Sequence, residues 1–212
     1  MKRERMTRWG FFFVGLIIMA FGITLTIKGK DLGIGPWDVL HYGLFLNAGL
    51  SIGAWSIIAG IVILSFTGIM TKSIPKLGAF INMLLVGIFI DIFNFLLPDP
   101  SSLWIQAGVL CIGIIIMGIG IGIYVAAGLG AGPRDSLMLL IVDKTGWRVQ
   151  WVRNGMELVV LIAGWLLGGP VGIGTIVIAL GVGQVVGMSL PMSRNWVEAT
   201  IARQREDAPL AG

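Results

Sequence analysis

Two short stretches hold most of the side chains in this sequence that could meet a solute. The first reads Leu32-Gly33-Ile34-Gly35-Pro36-Trp37-Asp38-Val39-Leu40, and the second Leu129-Gly130-Ala131-Gly132-Pro133-Arg134-Asp135-Ser136-Leu137. Leu, both glycines, Pro, Asp and the final Leu recur at an offset of 97, which also maps Gly49 onto Gly146. Gly-Pro interrupts one helix and opens another, and an Asp two residues later lies where free amides and the positive end of the dipole favour a carboxylate. If both helices start away from water, their N-termini offer unpaired donors to one cavity. Asp38 and Asp135 already bring negative charge there. The pair therefore suits a zwitterion, a polar neutral solute or a proton-coupled substrate better than a bare anion. The candidate substrate-site residues are Gly33, Gly35, Pro36 and Asp38 with Gly130, Gly132, Pro133, Arg134 and Asp135. The structural alternative is that the glycines only turn the chain and the aspartates only cap.

Arg134 stands where the first copy has Trp37. It either pairs with Asp135 at the cytoplasmic boundary or holds a substrate carboxylate. His41 follows Asp38 by three residues, on the same helical face, as a proton relay or as a hydrogen-bonded interfacial side chain. Asp91, within Phe89-Ile90-Asp91-Ile92-Phe93, is a carboxylate in an apolar run, which points to an ion path or to an interior partner such as Lys28 or Lys30. His41 and Asp91 are the candidate coupling residues. Arg153 and Glu157, four apart, are expected to pair. Asn82 and Gln184 are expected to bond across helices. No nucleophile–base set, metal-spaced cluster or phosphate loop occurs, so the reading is not an enzyme, with no cofactor and no metal. Cys111, the single cysteine, precludes an intrachain disulfide and is expected as a small buried side chain.

The elements that must position these residues follow from composition. Hydrophobic residues make up 56% and charged residues 12%, too few charges to cover a water-facing surface. Mean hydropathy is +0.93. Apolar runs at 9–27, 52–70, 77–97, 103–127, about 149–167 and 171–190 approach or exceed the ~20 residues that cross a bilayer core. The segments 36–46 and 133–143 span only about half of it. With six crossings and the N-terminus inside, 13 Lys or Arg lie on the inner side and two, Lys28 and Lys30, outside. If the short helices also crossed, the split would fall to 10 against 5. The expected fold is thus an all-α polytopic membrane protein of six transmembrane helices plus two short re-entrant or broken helices. Three spans per half invert the second half, giving two inverted-topology repeats, residues 1–98 and 99–192, followed by a polar cytoplasmic tail at 193–212. The net charge of +4 reflects retained inner-side cations and implies no nucleic-acid partner.

Glycine pairs four apart, Gly118 with Gly122, Gly164 with Gly168 and Gly183 with Gly187, are expected to pack helices within the chain, or else to form a homo-oligomer seam. On its doubled Gly-x-Gly-Pro-x-Asp element, the chain resembles the YczE/YyaS/YitT group of bacterial multi-pass membrane proteins, its YczE-like branch above all. That resemblance runs from the first span to about Pro191 and implies a bacterial cytoplasmic membrane location. It brings no substrate, cofactor or catalytic residue. The leading functional expectation is a permease for a small polar or zwitterionic solute, with both termini cytoplasmic. The alternative is a non-transporting accessory protein acting on a partner complex.

Overall fold

Glycine decides how the centre of the bundle packs. In the computed structural model, which describes residues 2–130 and 132–206, the described chain is helical with no strand. Ala131 of the second motif and tail residues 207–212 lie outside the described residues. Helices α1 (Lys2–Lys28) and α5 (Leu103–Ala126) form the central pair. A Cβ at Gly15 would collide with the Tyr124 backbone, one at Gly22 with Met117, and one at Gly120 with Met19. Backbones this close gain dispersion contacts, the main attraction between helices in lipid, where little water remains to be released. Phe12, Leu16 and Ile23 fill the seam together with Leu110, Ile114 and Tyr124.

Around this pair stand α2 (Pro36–Ala48), α3 (Ile52–Thr71), α4 (Leu77–Leu96), α6 (Pro133–Thr145), α7 (Val149–Leu166) and α8 (Ile173–Glu206). The offset of 97 maps Pro36 onto Pro133, Ala48 onto Thr145 and Ile52 onto Val149. Gly49 and Gly146 end the two short helices at φ 69° and 68°, a conformation that costs glycine no Cβ clash. Packing follows the same offset: α2 lies on α7 and α6 on α3, while α4 lies on α1 and α8 on α5. The motif loops cross over likewise. Gly33 abuts Gly172 and Thr175 at the start of α8, with Ile34 N–H donating to Pro170 O at 3.3 Å. Gly78, at the start of α4, abuts Leu129 and Gly130.

Five helices, α1, α3, α4, α5 and α8, are long and apolar enough to cross a membrane. The expected span over 149–167 forms as α7 but is not among them, and Arg153, Asn154 and Glu157 occupy its first half. Its exposed residues include Leu158, Val159, Ile162 and Trp165 as well as Arg153 and Asn154. The described part of the polar tail is helical, since α8 continues through Pro191 to Glu206. Pro191 has no N–H to offer the Gly187 carbonyl four residues back.

Several side chains differ from expectation. Cys111 is exposed, since α5 turns Gly113 and Ile114 rather than Cys111 toward the bundle. Lys28 does not meet Asp91; its Nζ donates to Asp99 Oδ1 at 2.7 Å and to Asn94 O at 3.0 Å. This bond holds the Asp99 carboxyl below the usual carboxylate range. The glycine pairs divide in use. Gly118 and Gly122 receive Val185 and Ser189 of α8, Ser189 Oγ donating to Gly118 O at 2.8 Å. Gly164 receives Leu40, whereas Gly168 lies beyond the end of α7. Gly183 and Gly187 have nothing within 4 Å of a notional Cβ.

Candidate solute cavity

Both short helices start at glycine, Gly35 and Gly132, with proline in the first turn and no side-chain cap. Their first turns meet inside the bundle. The Arg134 guanidinium lies over the Trp37 ring, Cζ 4.7 Å from its centroid. These are offset-equivalent positions, one from each half. A cation on an indole face is worth about 2 kcal/mol or more when shielded from water. Arg134 makes no ion pair with Asp135 among the described residues. Asp135 instead accepts a long hydrogen bond from Tyr124 Oη at 3.4 Å.

The contact forms part of the wall of a cavity of about 960 Å³ reached by α1 to α8. That volume lies at the upper end of the ~300–1,000 Å³ usual for small-molecule sites. Of the sequence-derived candidates, His41, Gly130, Gly132, Pro133, Arg134 and Asp135 line it. Gly33, Gly35, Pro36, Asp38 and Asp91 are not in its wall. Gly33 and Gly35 serve close packing, against Gly172 and beside Asp38 Oδ2 respectively.

Asp38 is buried, its Oδ1 without a hydrogen-bond partner and 3.9 Å from His41 Nδ1, too long for a hydrogen bond. His41, at 1% exposure, has neither ring nitrogen bonded, and Asn82 Nδ2 is also unpartnered. A buried polar atom without a partner forfeits about 1–3 kcal/mol; of these residues His41 and Asn82 stand in the cavity wall and Asp38 behind it. Asp91 lies elsewhere. It accepts from Ser51 Oγ and from Gly53 N–H at 2.9 Å, holding the first turn of α3. Arg153 and Glu157 pair as expected, Nε to Oε1 3.2 Å, and face the cavity.

Sequence reasoning missed Trp37, Tyr124, Lys76 and Arg194 in the wall, and five methionines, Met19, Met83, Met117, Met138 and Met156. A signal for Trp37 was present in the sequence, which places it at the offset of 97 from Arg134. For the methionines there was none, since a Met on an apolar helix reads the same toward lipid and toward a cavity.

A bundle of apolar helices around a cavity with charged lining residues defines the class, an integral membrane protein. The chain belongs to the family of unknown function DUF6198, which matches residues 6–191. It is 54% identical over 204 residues to the uncharacterized membrane protein YczE of Bacillus subtilis (strain 168), covering 96% of this chain and 95% of that protein. An uncharacterized Haemophilus influenzae protein is 35% identical over 81% of this chain and 78% of its own length. The uncharacterized B. subtilis protein YyaS is 28% identical over 87% of this chain and 93% of its own. The expected resemblance to the YczE/YyaS group is thereby shown. No solved structure matches.

Proposed function

We propose that the chain is a carrier for small organic solutes in the bacterial cell membrane. In this reading residues 1–98 and 99–192 are inverted-topology repeats with six crossings, α2 and α6 are re-entrant, and both termini are cytoplasmic. One observation carries it: Trp37 and Arg134, equivalent residues of the two halves, stack together in the wall of one large cavity. Broken helices meeting at a shared site between repeats is an arrangement suited to alternating access.

Two further features support the same reading. The mutual exchange of α2 onto α7 and α6 onto α3 makes each half incomplete alone, as repeats that rock against each other require. The paired Arg153 and Glu157 face the cavity, which accounts for a crossing helix less apolar than the rest. A non-transporting accessory protein would gain nothing from such a cavity.

The test uses the full chain purified into liposomes loaded with a cytosolic metabolite extract. After dilution, solutes leaving the vesicles are identified by mass spectrometry. The expected result is selective loss of one solute or a few from wild-type vesicles, abolished by Arg134→Gln with the protein still folded. Equal retention in wild-type and protein-free vesicles would remove the carrier reading.

A further inference from the structure

The charges of the cavity wall do not balance. Lys76, Arg134, Arg153 and Arg194 face Asp135 and Glu157 there. Glu157 is engaged by Arg153, and Asp135 by the Tyr124 hydroxyl. Lys76, Arg134 and Arg194 have no ion pair among the described residues. Asp38, whose charge favoured a zwitterion in the sequence, is buried outside the wall. Even counting it, positive charge remains in excess.

The apolar part of the wall is equally distinctive. Five of the ten methionines of the chain line this one cavity. Methionine is unbranched and polarizable, and adapts to apolar ligands of differing shape. Gly183 and Gly187 leave the α8 side of the wall open. We infer that the cavity binds an organic anion, an acidic group joined to an apolar body, with Arg134 as the anchor and the methionines around the body. The Arg134 Cζ lies 4.7 Å from the Trp37 centroid, and a guanidinium held in a cavity wall offers the planar donor pair that a carboxylate or phosphate accepts in a two-pronged bond. The inference rests on the carrier reading for the site, but binding is measured without transport.

An acid of this kind arrives either free from water or as a lipid headgroup entering between α7 and α8, which do not pack together as α3 and α4 do. The experiment separates these sources. The full chain is held in phosphatidylcholine nanodiscs, and thermal unfolding is followed with octanoate, octanol, octylamine or acetate added. A parallel set of nanodiscs contains phosphatidylglycerol.

A native-state ligand raises the melting temperature. Octanoate is expected to do so, octylamine not at all, and octanol and acetate much less. Arg134→Gln should weaken octanoate at least about tenfold, and Arg134→Lys less. Octanoate stabilisation assigns a free acid. Stabilisation by phosphatidylglycerol that requires Arg134 assigns a lipid, and either supports the inference. It is overturned if octylamine matches octanoate, if neither acidic probe stabilises, or if Arg134→Gln leaves the response unchanged. Should Arg134→Gln not fold, the wild-type contrast between octanoate and octylamine decides alone. Binding without solute release would sink the carrier reading only; solute release without acid binding would sink this inference only.

Discussion

Asp91 and Arg134 show how one charged residue in an apolar segment becomes structural and another remains available. Asp91 accepts from the Gly53 N–H, a donor that the start of α3 leaves unbonded in any case, and from the Ser51 hydroxyl, which itself caps Ala54 N–H. Its cost in the membrane is offset by that bond. Arg134 finds an indole face, which satisfies the cation but none of its five N–H donors. The two should therefore respond differently to replacement. Asp91→Ala is expected to destabilise by about 1–3 kcal/mol, because the Gly53 amide loses its acceptor. It should leave Arg134-dependent solute release intact in the protein that folds. Unfolding of Asp91→Ala in detergent, alongside the vesicle release assay, checks both halves. Unaltered stability with abolished release would return Asp91 to a coupling role.

Among the helices, glycine has two opposite uses, and substitution tells them apart. Gly15, Gly22 and Gly120 are occupied by the backbone of the partner helix, so α1 and α5 cannot accept side chains there. Gly183 and Gly187 meet nothing and leave space in the cavity. Gly22→Leu is expected to cost about 1–3 kcal/mol or more by forcing the central pair apart. Gly183→Ala should change stability by less than about 0.5 kcal/mol, as a substitution away from packing contacts. Comparing the melting temperatures of the two variants checks the contrast, and a fall of equal size in both would contradict it. The same logic explains α7. Its Arg153–Glu157 pair lies in the cavity wall, and if α7 crosses as proposed, that position spares the pair contact with lipid.

Across the whole molecule, one difference between the two halves bears on movement. Helix α3 packs along α4, while α7 and α8, their offset equivalents, do not close to the same degree. If the halves exchange conformations during a transport cycle, closure at α7–α8 should accompany opening at α3–α4. Spin labels at Trp151→Cys with Met192→Cys, and at the offset-equivalent Ala54→Cys with Phe95→Cys, report the two seams in a Cys111→Ser background. Two populations of distance are expected at each, shifting in opposite senses when octanoate is added. A single unchanged distance at both seams would argue against rocking.

The starts of the short helices, the existence of most of the long ones and the membrane class were legible in the sequence, because each depends on local signals, whereas α1 and α8 run beyond their apolar stretches. Run length sets a span, Gly-Pro sets a start, and glycine after the last turn sets a stop. Arg153 and Glu157 paired as predicted for the same reason, since four residues along one helix bring them together whatever surrounds them. Only the tertiary structure decided which face of each helix looks inward. It placed Trp37 against Arg134, turned Cys111 outward, left Asp38 out of the cavity wall and sent Asp91 to the start of α3. Those outcomes depend on rotation about a helix axis, and in an almost uniformly apolar helix no polar face marks that rotation. It is set by which backbone a glycine admits from a neighbouring helix, a contact between residues far apart in the chain.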